Sequence, residues 1–147
     1  MKVYELLADF LQHEIITNSC NTLEAFNAKQ VPYISIRDYI TRFNDYLHLD
    51  TSTYIVAYIL IERLLNRNPR SRITALNVHR LVVTAITITE KNINDWYWRN
   101  MDYAMVGAIT NEELNKLEVE FLKMIDYDMK VKENDYINAL NKITRIV

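Results

Sequence analysis

The sequence predicts an all-α fold, and three observations carry that expectation. One glycine and two prolines in 147 residues leave almost no material for the tight turns of a hairpin-rich β fold. Half of the residues are hydrophobic and 11% are aromatic, enough for one well-packed core in a chain of single-domain length. The third observation is the spacing within residues 73–95. Residues 81–89 are rich in β-branched side chains that suit a strand. Yet Asn77, Arg80, Thr84, Thr87 and Lys91 recur at helical intervals on one side, where a strand would divide them between two faces. Leu76, Val78, Leu81, Val82, Ala85, Ile86 and Ile88 cover most of the remaining circumference. Such a helix is expected at the centre of a helical domain, its single polar stripe left for water or a partner.

The other elements follow in order. Residues 1–17 place Val3, Leu7, Phe10 and Leu11 on one side with Leu6 beside them, an amphipathic helix that docks on its own domain or on a partner. Small polar residues at 18–21 break the pattern, and Thr22 is placed to cap a short segment over 22–29. Pro32 keeps the preceding residue extended, and Ser35 caps a helix to about Leu47 whose buried face is Ile36, Tyr39, Ile40 and Phe43. Asp50 opens a second buried helix, apolar all round over residues 54–61 and continued by Leu64 and Leu65. Residues 66–72, NRNPRSR, form a connector in which Pro69 forbids helix and three arginines stay wet. The central helix then starts with Thr74 as its cap. After polar residues 92–95 and the aromatic Trp96-Tyr97-Trp98, a short helix over 99–106 is expected to end at Gly107 in the left-handed conformation.

Thr110-Asn111-Glu112-Glu113 reads as a reciprocal capping box flanked by Ile109 and Leu114 as a hydrophobic staple. The helix it starts runs to about Ile125 with Leu114, Leu117, Phe121, Leu122 and Ile125 facing inward. Glu118 interrupts that face. Residues 126–128 end it, and residues 133–147 form a C-terminal helix with Ile137, Leu140 and Ile143 inside.

A net charge of −2 and a pI near 5.9 argue against a nucleic-acid partner, which calls for a basic face. The single cysteine, Cys20, excludes an internal disulfide and a thiolate zinc cluster, and it fits a reducing compartment, cytoplasm or nucleus. The longest apolar run falls far short of the roughly 20 residues that span a bilayer, and the N-terminus begins no signal peptide, so no membrane role is expected. His13, His48 and His79 form no metal-binding pair, and there is no glycine-rich phosphate loop. Catalysis, cofactor and metal are therefore not expected. His79 and Arg80 are expected to hydrogen-bond to neighbouring loops, and Trp96, Tyr97, Trp98 and Tyr103 to serve as core or interface anchors. Lys91, at the end of the polar stripe, and Glu118, inside an apolar face, stand apart: a carboxylate there needs a cation or donors. Two readings stay open, a structural salt bridge and a two-charge clamp that grips a partner's backbone at an apolar groove.

The segments VPYISIRDYITR, YILIERLL, ITALNVHRLVVTA and EKNINDWYWRNMDYAMVGAITNEELNKLEVEFLKMIDYDMKV resemble the cyclin family, in particular the PHO-type (P/U-type) cyclins. The phrases LNVHRL and YAMVGAITNEELNKLE carry most of the resemblance. It implies a single domain over 1–147: a five-helix cyclin box over 32–129, an N-terminal helical extension over 1–30 and a C-terminal helix over 130–147. It also implies a cyclin-dependent protein kinase as partner, contacted by Lys91 late in the third box helix and Glu118 in the fifth. Ile88, Leu122, Tyr127 and Met129 would form the apolar part of the groove, and Asp95 matches an aspartate placed to engage kinase arginines. The chain departs from the family pattern at Thr89-Glu90, where small residues are usual, at Asn92, usually bulky and apolar, and at Gly107-Ala108, usually Gly-Gly. The arginine-and-leucine docking patch of cell-cycle cyclins is not recognisable. A rival reading is a cyclin-box scaffold of the transcription-factor type, for which residues 66–72 offer the one basic loop.

Overall fold

A computed structural model describes residues 1–15 and 23–145. Seven α-helices make up the regular structure of these residues, together with a 3-10 turn at Glu24–Phe26: α1 Val3–Glu14, α2 Ile36–Leu47, α3 Thr51–Arg67, α4 Val78–Ile93, α5 Asn100–Val106, α6 Asn111–Met124 and α7 Glu133–Thr144. The all-α expectation holds, with five helices between one added at each end. The breaks and cap assigned to residues 18–22, and Cys20, lie outside the described residues.

Helices α3 and α4 form the centre. They pack on each other, with α1 and α7 against α3, and α2, α5 and α6 against α4. Every residue from Thr53 to Ile61 is buried, as is every residue from Leu81 to Glu90. The β-branched run is thus helical because burial of both sides outweighs a local preference worth tenths of a kcal/mol per residue. Helix α1 docks on its own domain, against α2 and α3, with Leu7, Phe10 and Leu11 inside.

Local start and stop signals fare unevenly. Ser35 caps α2 as expected, its Oγ accepting from the Asp38 amide at 3.0 Å. Thr74 does not cap α4. Residues 74–77 form a turn, and the buried Asn77 side chain fastens it, accepting from the Thr74 amide at 2.9 Å and donating to the Arg72 carbonyl at 2.9 Å. Gly107 is not left-handed: its φ is −78°, and Ala108 takes the positive φ of 56°. What requires glycine at 107 is space, since a Cβ there would lie 2.7 Å from Val83 Cγ2 and 2.9 Å from the Tyr39 hydroxyl.

Most of the polar stripe of α4 is not left for solvent: its two charged members pair with α6, Arg80 with Glu113 and Lys91 with Glu118. Asn77, Thr84 and Thr87 are fully buried. Thr84 and Thr87 donate to carbonyls one turn back, both at 2.7 Å, which satisfies the hydroxyls without an outside partner. On α6, Thr110 accepts from the Glu113 amide at 3.0 Å, but Glu113 does not close the reciprocal box; its carboxylate pairs with Arg80 of α4 instead. In α7 the inward residues are Ala139 and Ile143, with Leu140 half-buried, whereas Ile137 is exposed.

Candidate functional site

Helices α4 and α6 lie side by side, and their later halves carry the two charges singled out in the sequence. Lys91 sits in the last turn of α4, where a cation complements the carbonyl end of the helix. Its Nζ donates to both carboxylate oxygens of Glu118, each at 3.0 Å. Asn100, the first residue of α5, donates to Glu118 Oε1 at 3.0 Å and to Asn115 at 2.7 Å. The interruption of the α6 apolar face is thereby explained: Glu118 accepts from two elements. The Lys91 side chain remains 33% exposed and Glu118 14%, so the pair reaches the surface.

The other expected groove residues are distributed in depth. Ile88, one turn before Lys91, is only 5% exposed and belongs to the core. Leu122, one turn after Glu118, and Met129 are half-buried and pack on the core. Tyr127 is 62% exposed at a φ of 57°. Asp95 is exposed in the α4–α5 connection. Lys91 and Glu118 are thus joined directly, Leu122 and Met129 pack half-buried on the core, and Ile88 is part of that core. Val119, next to Glu118 in sequence and off the inward stripe of α6, is 52% exposed.

The segment bearing Tyr127 and Met129 is held from behind by α3. Arg63 donates to the Asp128 carbonyl at 2.6 Å and the Lys130 carbonyl at 2.8 Å. Arg67 donates to the Ile125 carbonyl at 2.7 Å and the Asp128 carboxylate at 2.6 Å. The Lys130 amide and these two guanidiniums hold the Asp128 carboxyl below its ordinary range. Arg67 was expected to be solvated in a basic connector. The structure spends it, and Arg72, which donates to the Pro69 and Ser71 carbonyls, on the chain's own backbone.

His79 bonds a neighbouring loop as expected, whereas Arg80 pairs with Glu113 of helix α6 and not with a loop. His79 Nε2 bonds the Ile34 carbonyl at 2.8 Å, so Nε2 carries the proton and Nδ1 is left buried without a partner. Burial pushes the imidazole pKa below its ordinary value, against the opposing effect of that bond. The aromatic cluster divides. Tyr103 is fully buried and Trp98 half-buried, while Trp96 and Tyr97 are exposed. Glu90, which the sequence marked only as a departure from pattern, is 4% exposed and accepts from Thr53, Asn94 and Tyr103.

The arrangement is a helical domain built on a two-helix core, with a charge pair between α4 and α6 that reaches the surface. The cyclin family model matches residues 7–129, and the chain belongs to the cyclin family. Among relatives, it is 41% identical to Cyclin-U4-2 of Arabidopsis thaliana over 123 residues, 82% of this chain and 57% of that protein. It is 39% identical to Cyclin-U1-1 of the same plant over 110 residues, 75% of this chain and 52% of the relative. It is 30% identical to Cyclin-P1-1 of Oryza sativa subsp. japonica over 113 residues, 77% of this chain and 43% of the relative. The U- and P-type names agree with the resemblance read from the sequence, and the chain spans about half the length of the curated relatives it matches. No described helix is long and apolar enough to cross a membrane.

Proposed function

We propose that this chain is a cyclin-type regulatory subunit, without catalytic activity of its own, that binds and activates a cyclin-dependent protein kinase by fixing the kinase C-helix. Residues 32–129 would be the cyclin box, with the helices on either side buttressing it. The observation that carries the reading is the Lys91–Glu118 pair on α4 and α6, at the positions where the family resemblance implies kinase contact. The pair is open to solvent at Lys91, 33% exposed, where a partner can reach it. Facing a partner, each member has spare hydrogen-bonding capacity: Lys91 has a third ammonium proton and Glu118 a remaining lone pair on Oε2 for a backbone group. Leu122, Met129 and Tyr127 offer apolar surface beside the pair, with Ile88 as its floor, and Asp95 is available to kinase arginines.

In activation the subunit supplies binding energy only. A kinase C-helix carries the glutamate that pairs with the lysine over the ATP phosphates. A rigid surface that binds the active orientation more tightly than the inactive one shifts the population toward it. The test is affinity and melting temperature measured on the same variants. Lys91→Ala and Glu118→Ala are expected to weaken kinase binding by about 2 to 5 kcal/mol while the folded protein melts close to the parent. Full kinase affinity in both variants, combined with depressed melting, would reduce the pair to a structural salt bridge.

A further inference from the structure

We infer that Glu90 is a positioning residue: its buried carboxylate locks the loop of residues 94–99 so that Trp96 stands as a preformed second contact for the kinase beside Lys91. The inference rests on the kinase-binding reading and adds a determinant that the family pattern does not supply, since small residues are usual where this chain has Thr89-Glu90.

The carboxylate accepts three hydrogen bonds from three elements. Thr53 of α3 donates to Oε2 at 2.8 Å, Asn94 at the C-terminus of α4 donates to Oε2 at 2.6 Å, and Tyr103 of α5 donates to Oε1 at 3.2 Å. The Tyr103 hydroxyl in turn accepts from the Trp98 amide at 3.2 Å, and the Trp98 indole donates to the Leu47 carbonyl at 3.3 Å. Glu90 therefore holds the beginning of the loop through Asn94 and its far end through Tyr103. Trp96 meets the anchored Trp98 ring edge to face, with centroids 5.0 Å apart, and yet stays 68% exposed.

Position relative to the charge pair names the occupant. The chain leaves α4 just after Lys91 and returns at Asn100, and both of these residues donate to the same Glu118 carboxylate. Trp96 lies midway along a short loop whose ends converge on that carboxylate, so a partner seated on Lys91 and Glu118 meets it. Tyr97 and Met101, which follow in sequence, are exposed as well. An aromatic side chain held in one pose before binding loses little freedom when covered, which is the property of an interface hot spot.

Both tryptophans of the chain are in this loop, so intrinsic fluorescence reports its order directly. The experiment combines acrylamide quenching with binding to each cyclin-dependent kinase of the parent organism, purified singly. The proteins compared are the parent, Lys91→Ala, Trp96→Ala, Glu90→Ala, Glu90→Gln and the Glu90→Ala/Trp96→Ala double variant. Glu90→Ala is expected to raise quenching, and it and Trp96→Ala each to weaken binding about tenfold or more. Glu90→Gln, which keeps an acceptor oxygen but turns an amide toward a donor, should fall between parent and Glu90→Ala. The double variant should bind no worse than the weaker single, because Glu90 acts through Trp96. Unchanged affinity in Trp96→Ala while Lys91→Ala loses binding overturns the inference and leaves the kinase reading intact. Losses that add in the double variant, or parent-like quenching in both Glu90 variants, also overturn it. No kinase binding by the parent overturns both. If Glu90→Ala does not fold, Glu90→Gln and the exposed Trp96→Ala decide the same points.

Discussion

Gly107 and His79 show how much a single position depends on what packs against it. The glycine lies in the ordinary helical region, so alanine costs nothing in backbone conformation; the cost is the collision of its Cβ with Val83 and the Tyr39 hydroxyl. Gly107→Ala should therefore destabilise by about 1 to 3 kcal/mol through overpacking, read from chemical denaturation. The Tyr39 hydroxyl, which donates to the Gly107 carbonyl at 2.8 Å, would be displaced with it. A neutral substitution would show that Tyr39 can move aside. His79 predicts a pH dependence. Burial lowers its pKa below the ordinary 6.5, so the folded state binds the proton less readily than the unfolded chain. Its contribution is full above about pH 6.5 and is lost as the pH falls from there through the lowered folded value. Melting temperature should thus drop between pH 7 and 5 more steeply in the parent than in His79→Phe, whose ring cannot titrate. Parallel curves for the two proteins would remove the imidazole from the account.

At the scale of elements, α6 is set at its N-terminus by one half of a capping box. Thr110→Ala should cost about 1 kcal/mol, measured by urea unfolding. Glu113→Gln should cost stability by a different route, weakening the tie from α6 to Arg80 on α4 while the Thr110 cap persists. If Glu113→Gln is neutral and Thr110→Ala is not, the helix start is governed by its cap alone. Segment 125–130 depends on α3 in a comparable way. Arg63 and Arg67 between them hold three of its carbonyls, so Arg63→Ala should loosen the segment that carries Tyr127 and Met129, seen as faster amide exchange there than in α6. Unchanged exchange would mean that its positive-φ turn at Asp126 and Tyr127 is self-sufficient.

For the molecule as a whole, one continuous core joins residues from all seven helices. The protein should show a strongly helical circular dichroism spectrum and a single cooperative melt followed by both far-ultraviolet and fluorescence probes. Two separated transitions would divide the core into independent parts. In the proposed role the purified chain should not turn over ATP, and phosphoryl transfer should appear only when the kinase is added. Turnover by kinase-free protein would overturn the proposed role.

What was legible in the sequence were the features that period and local chemistry encode. Helices α2, α3 and α6, the Ser35 and Thr110 caps and the inward faces of α2 and α6 follow from spacing that one chain segment shows by itself. The central position of α4 was also readable, because apolar residues on nearly all sides have nowhere to go but inward. Lys91 and Glu118 were legible as misfits in their own helices, and their pairing as one of two readings; the structure joins them. The tertiary structure decided the rest, since those outcomes depend on partners distant in sequence. Pairing of Arg80 and Lys91 needed α6 alongside α4; diversion of Glu113 needed Arg80 within reach; and the space limit at Gly107 needed Val83 and Tyr39. Glu90 is the plainest case. In sequence it is one charge near a helix end, and only packing brings Thr53, Asn94 and Tyr103 around its carboxylate, where three donors offset the cost of burying it.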